Sequence, residues 1–254
     1  PDAPVLSADL KQLLPTTEKR RDDKRIEAIG LLKQFLASKP TGDAKAEGMF
    51  KLAELLWEEA RRLYLIEVDN FSRAVEKCNQ KKAACEPPKE PRIDLKQAEA
   101  LYVELHAKHP NFRRMDLVTY LIGFAAKEDQ REDEAMKMFN EVIEKYPRSS
   151  LLGDAWMMIG EHHFALQKWE EAKAAYKHIP DEAATSDLAT FKVAWCEWKL
   201  GNTTQAAKDF KRVLDKAVEA ERTGTAAQRR RSASLRDEAL EQLVVVFTED
   251  KSVS

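Results

Sequence analysis

The stretch GEHHFALQKWEEAKAAYKHIP, residues 160–180, admits two incompatible readings. Glu161, His162 and His163 look like the start of a metal site. The same letters also fit half of a helical repeat, in which the histidines do no chemistry. Consecutive helix residues are about 100° apart, so three adjacent side chains cannot converge on one ion; a helical zinc pair needs the spacing i, i+4, as in H-E-x-x-H. Four residues beyond His162 and His163 stand Leu166 and Gln167, which are not useful ligands. No metal and no other cofactor is expected, and His163 is assigned to packing.

The repeat reading gains support from the preceding segment, LIGFAAKEDQREDEAMKMFNEVIEKYP (121–147). Gly123 aligns with Gly160, Ala135 with Ala172 and Phe139 with Tyr176, each at an offset of 37 residues. Ala194, Ala206 and Phe210 form a third copy at an offset of 34. Earlier copies keep a small residue, then an aromatic or Leu, then Pro: Ala98–Tyr102–Pro110 and Ala28–Leu32–Pro40. Pro40, Pro110 and Pro147 each lie 13 residues before a small residue, namely Ala53, Gly123 and Gly160.

Helix packing explains this pattern. A small residue midway along a first helix lets a second helix approach closely, and a small residue early in the second completes the contact. The aromatic one turn later fills the groove between them. Proline then ends the second helix, because it lacks an N–H donor and restrains the residue before it. One hairpin cannot bury its apolar stripe alone, so hairpins stack into a solenoid.

On these residues the chain resembles the tetratricopeptide repeat (TPR) family over about 21–217, with Trp156 as the aromatic often found four residues before the central Gly. The resemblance implies an all-α, TPR-like helical-hairpin solenoid over 1–254. Its repeats fall at about 17–40, 44–110, 113–147, 150–180 and 184–217, and 235–249 reads as the first helix of a further repeat. The 37-residue spacing, with KYPRSSLLGDAW (145–156) joining two repeats, looks most like bacterial envelope members: the outer-membrane assembly lipoprotein, the Tol-associated periplasmic protein and the TPR proteins of myxobacterial adventurous gliding motility.

Two segments depart from the repeat. Ala53 and Ala98 are 45 residues apart, against 12 between the corresponding markers elsewhere, so about 33 residues are inserted, roughly 60–94. Residues 46–80 are almost free of breakers and read as one long helix. CEPPKEPRID (85–94) then forms a rigid return containing Pro87, Pro88 and Pro91. This arm is either a docking element or a packing insertion. EAERTGTAAQRRRSAS (219–234) is expected to lengthen a second helix and add a polar loop before LRDEALEQLVVVF (235–247). Val244–Phe247 supply no polar cap, which points to a fragment of a longer array or to a partner-dependent edge.

Composition excludes several classes. Among 254 residues, 34% are charged yet the net charge is −2, which offers no broad positive field for nucleic acid. No apolar run approaches the roughly 18–20 residues needed to cross a membrane, so direct membrane insertion is not expected. Three cysteines are too few for a disulfide scaffold. On an unbroken helix Cys78 and Cys85 would stand about 10.5 Å apart, too far to bridge. A turn near Asn79–Gln80 would bring them together, so a disulfide in an oxidising compartment and two independent thiols both stay open. Cys196 lies inside a predicted helix, where a thiol is ordinarily inert. No nucleotide loop, nucleophile elbow or C-x-x-C is present, and the carboxylates alternate with Lys and Arg along helix faces, so no catalytic residue can be named.

The functional expectation follows from the family resemblance. Its second, fifth, ninth and twelfth first-helix positions line a concave groove. Counted from the small residue as the eighth, these give Phe50 and Trp57; Leu117, Tyr120 and Phe124; Met157, Glu161 and Phe164; Leu188, Phe191, Trp195 and Trp198. The implied function is a non-enzymatic scaffold holding a protein or peptide partner, set in the periplasm. The alternatives are a cytoplasmic adaptor and the TPR part of a larger regulatory or catalytic protein. The competing expectation for the rings is packing within the core. The Lys/Asn pattern with which some members clamp a C-terminal carboxylate is absent, since Tyr120, Phe124, Phe191 and Trp195 stand there.

Overall fold

The structure is a computed structural model that describes residues 8–80, 85–86 and 88–249, with the side chains of 8–16 and 249 set aside. The described residues form ten helices and no strand. They are α1 (Ala8–Ala37), α2 (Gly42–Gln80), α3 (Lys96–Lys108), α4 (Met115–Glu128), α5 (Glu132–Lys145), α6 (Leu152–Ala165), α7 (Trp169–Lys177), α8 (Ser186–Lys199), α9 (Thr203–Thr223) and α10 (Ala226–Glu249). The fold class is all-α, built from the helical hairpins of a repeat solenoid. The chain divides into two compact units, 1–131 and 132–254.

The repeat register extends into the turns. Gln130, Gln167 and Gly201 follow α4, α6 and α8 with positive φ angles of 61°, 58° and 80°. Each turn closes with the same pair of bonds: Arg131 N–H to Ala126 O, Lys168 N–H to His163 O and Asn202 N–H to Glu197 O, together with Gln130 to Lys127, Gln167 to Phe164 and Gly201 to Trp198. These are Schellman motifs, which satisfy the orphan carbonyls of a helix end and demand a left-handed residue at the position after the cap. Glycine meets that demand without strain at 201, whereas glutamine adopts it at 130 and 167.

In the first unit α1 packs on α2, α2 on α3 and α3 on α4. Gly48 of α2 lies against the Phe35 ring, 2.7 Å from where a Cβ would stand. The core joins Met49, Phe50, Leu52 and Ala53 to Leu95, Ala98, Tyr102 and Leu105 of the α3 region and to Met115, Val118 and Ile122 of α4. As expected of the insertion, α2 is a single helix of 39 residues. Its buried residues all lie between Ala46 and Ala53; farther along, Leu63, Leu65 and Ile66 are exposed. Arg25 of α1, itself buried, bonds Asp22 and Glu59 at 2.9 and 3.0 Å, which ties α1 to the middle of α2. Beyond Gln80 the described return residues carry no regular structure until Asp94 Oδ1 accepts the Lys96 N–H at the start of α3.

In the second unit the hairpins α6–α7 and α8–α9 follow α5, and α10 packs on α9. One core cluster joins Met157, Ala172, Tyr176, Ile179, Ala189, Val193 and Cys196. The next joins Phe191, Ala194, Ala206, Phe210, Val213, Ala239 and Val246. The repeat markers Ala172, Ala194, Ala206 and Phe210 are all 0% exposed, as close helix approach requires. Gly160 shows the same physics most sharply: a Cβ there would lie 2.5 Å from Tyr176 Cδ1 and nearer still to Cε1. Trp156, four residues earlier, stacks on His178 at 4.4 Å.

Residues 219–223 lengthen the second helix as expected, but the polar loop expected after them is not a loop. α9 runs to Thr223, Gly224 breaks the chain in extended conformation, and α10 already begins at Ala226. Thr225 and Gln228 form a reciprocal capping box: the Thr225 N–H donates to Gln228 Oε1 at 2.8 Å, and the Gln228 N–H donates to Thr225 Oγ1 at 3.3 Å. The signature T-x-x-Q was present in the sequence and marks a helix start. Arg229 lies on the first turn of this helix and bonds the Gly224 carbonyl at 3.0 Å.

Candidate partner-binding surfaces

In the first unit the aromatic positions divide by helix face. Phe50 is 1% exposed. Tyr102 and Phe112 wall its ring at 6.1 and 5.2 Å, and the Arg114 guanidinium sits 4.6 Å from its centroid. It was placed in the groove from the sequence, but it belongs to the core and supports what lies above it. Two turns along, Trp57 is half-buried, 6.2 Å from Tyr102 and 5.7 Å from Phe124. Leu117, Tyr120 and Phe124 on α4 are likewise half-buried. Trp57 and Phe124 therefore present a joined aromatic face, rimmed by Glu54 and Arg114, which pair at 3.1 Å.

The second unit repeats this division. Met157 and Phe191 are buried at 4% and 5% exposure, so these two expected groove residues also belong to the core. Phe191 packs edge-on against Phe210 at 5.6 Å and supports Trp195 at 6.5 Å. Trp195 and Trp198 remain half-buried and meet edge to face at 5.1 Å. The Lys199 ammonium lies 4.4 Å from the Trp198 centroid and 5.6 Å from that of Trp195. Its position four residues after Trp195 was a legible signal, since such pairs are neighbours on a helix.

Glu161, expected as an acidic groove position, is held by its own chain. It accepts the Tyr176 hydroxyl at 2.7 Å and pairs with Lys192 at 2.9 Å. Burial and this carboxylate together hold the Tyr176 phenol far above its ordinary range. The same Lys192 ammonium lies 4.8 Å from the centroid of Phe164, whose ring meets Trp169 at 5.0 Å. Glu161 thus orients Lys192 over Phe164, an arrangement that spans α6, α7 and α8.

Neighbouring groups carry no sign of catalysis. His162 lies 3.2 Å from Glu132, and the His163 Nδ1 is buried with no hydrogen-bond partner among the described residues. Burial, reinforced by His162, depresses the His163 pKa. Among the described residues no three His, Cys, Asp or Glu side chains gather as metal ligands. Cys196 is buried, and burial pushes its thiol up to about 12, which suppresses the nucleophilic thiolate. Cys78 and Cys85 form a disulfide, with Cα atoms 5.6 Å apart; α2 ends two residues beyond Cys78, so the chain can turn back. No described helix is long and apolar enough to cross a membrane.

Comparison with known families places two segments, 118–149 and 188–217, in the tetratricopeptide repeat model. These two segments are tetratricopeptide repeats. The matched segments contain the Ala135–Phe139 and Ala194–Ala206–Phe210 markers, and the second holds Trp195 and Trp198 on the first helix of its TPR hairpin. Repeats of this kind are protein-interaction modules. None of the curated proteins matches the chain.

Proposed function

We propose that this chain is a non-enzymatic scaffold that holds a protein or peptide partner, rather than nucleic acid, against the aromatic faces of its TPR first helices. Its setting is a bacterial cell-envelope complex of the type that serves gliding motility or outer-membrane assembly, on the periplasmic side. The observation that carries the reading is the half-buried pair Trp195–Trp198 with Lys199 above it, on a first helix of a TPR hairpin. Large rigid rings bury area at small entropic cost, and such rings dominate binding energies at interfaces. The Trp57–Phe124 face of the first unit offers a second contact of the same kind. The periplasmic setting draws support from the Cys78–Cys85 disulfide, which persists in oxidising compartments, and from the 37-residue spacing.

Photo-crosslinking in cells, comparing the wild type with Trp195→Ala/Trp198→Ala and Trp57→Ala/Phe124→Ala, tests the scaffold. A partner captured by the wild type and lost from either folded double variant is expected. An unchanged partner set from both sinks the aromatic-face reading. Alkylation in intact cells before reduction tests the compartment: Cys78 and Cys85 should resist it, and ready labelling of both would favour the cytoplasmic alternative.

A further inference from the structure

The C-terminal end of the second unit contains an apolar pocket that the aromatic faces do not use. It has a volume of about 370 Å³ and lies between α9 and α10. Ala207, Leu243, Val246 and Phe247 form its floor and one wall. Val246 is 2% exposed, whereas Phe247 is 60% exposed and stands at the mouth. Along α10, Leu240, Val244 and Phe247 recur at spacings of four and three, each about half or more exposed. From Leu240 to Phe247 the stripe spans seven residues, about 10.5 Å, and ends at the pocket. A row of this length suits successive anchors of a helix better than a single apolar tail.

The rim is positive. Lys208 and Lys211 line it together with Thr203 and Thr204, and among the described residues no acidic side chain does. Lys211 is shared with Asp215 at 2.7 Å, while Lys208 forms no ion pair among the described residues. Thr203 and Thr204 open α9, whose first turn carries no acidic side chain, so the positive helix end adds to the field. An apolar floor with a cationic rim is complementary to an amphipathic element whose polar edge is acidic.

We propose that the α9–α10 edge docks an acidic amphipathic helix of a protein partner. The helix seats an apolar side chain beside Phe247 and lays carboxylates on Lys208, Lys211 and the start of α9. Neither tryptophan of the Trp195–Trp198 face lines this pocket, although both pack on the core cluster that contains Val246, and the site extends the scaffold to a second contact.

The test uses the whole chain and two panels of fluorescent 14-residue peptides with Leu or Phe at i, i+3, i+4 and i+7. One panel carries Glu at its polar positions and the other Lys. In anisotropy titrations the acidic panel should contain binders roughly tenfold tighter than any basic counterpart, and rising salt should weaken them. Lys208→Glu/Lys211→Glu should lose at least roughly tenfold and reverse the preference, and Phe247→Ser should lose a similar factor. All three substituted residues are exposed, and circular dichroism verifies that the variants stay folded. Binding that survives Lys208→Glu/Lys211→Glu and Phe247→Ser but is lost in Trp195→Ala/Trp198→Ala would belong to the aromatic face, which separates failure here from failure of the aromatic-face reading. The proposal is overturned by absence of binding across the acidic panel, by equal binding of the basic one, or by sensitivity to the tryptophan pair instead. Dodecanoate occupying the pocket while no peptide does would assign it to an anionic lipid and overturn it equally.

Discussion

Gly160→Ala should destabilise the second unit, although it replaces a helix-weakening residue by the best helix former. The added methyl would stand 2.5 Å from Tyr176 Cδ1 and 2.9 Å from Cζ, whereas carbon atoms pack best near about 3.5–4.0 Å. The ring must therefore retreat by about 1 Å. It is 1% exposed, and its hydroxyl is anchored 2.7 Å from Glu161. Overpacking of this kind costs about 1–3 kcal/mol. Losing the charge-assisted bond adds about 1.5 kcal/mol, the low end of its range because Glu161 is partly exposed. The helix-propensity gain offsets about 1 kcal/mol. The net loss lies between about 1.5 and 3.5 kcal/mol, a fall in Tm of roughly 6–14 °C for a unit of this size. Urea and thermal unfolding followed by circular dichroism measure it, repeated in a Tyr176→Leu background. There the ring is gone, and Gly160→Ala should become neutral or stabilising by up to about 1 kcal/mol. Equal effects in both backgrounds, or a coupling below about 0.5 kcal/mol, would refute the account of why a glycine stands at 160.

Three further outcomes follow from the same structure. Because burial depresses the His163 pKa below 6.5, the unfolded chain takes up a proton there before the folded one does. The stability this residue contributes is complete above pH 6.5 and is lost as pH falls from there through the folded value. His163→Gln should flatten the denaturation midpoint against pH below 6.5, and parallel profiles would contradict the assignment. Cys196 should react with a thiol reagent at neutral pH only after denaturation, since its pKa is raised to about 12; fast labelling of the native protein, read by mass spectrometry, would count against its burial. Thr225→Ala should cost about 1 kcal/mol at the start of α10 and speed hydrogen exchange of amides 226–230 by roughly fivefold, with unchanged protection arguing against the capping box.

The hairpin pattern was legible because it depends on residue size at fixed spacing, and spacing is a property of the chain. Gly160 and Ala172, Ala194 and Ala206, and the rings of Tyr176 and Phe210 occupy the contacts their register implied. The long α2 was legible for a similar reason, as a run from 46 to 80 without Pro and with Gly48 as its one glycine. The start of α10 was legible in principle from T-x-x-Q, but the abundance of Arg, Ser and Thr around it reads as loop composition.

Exposure of the candidate site was not legible. Phe50 and Trp57 are both aromatic, both on α2 and both in positions the family directs toward a groove. Phe50 is buried only because Tyr102, Phe112 and Arg114, more than fifty residues away in sequence, close over it. Phe191 and Trp195 part company in the same way, since Phe210 takes one ring and leaves the other at the surface. Glu161 looked like a free acid until Tyr176 and Lys192 came within reach. By itself the sequence determined that the chain forms helical hairpins and where their helices touch, because those contacts recur at a local period. Only the tertiary structure decided which rings face a partner, because burial is conferred by residues that the chain brings together from a distance.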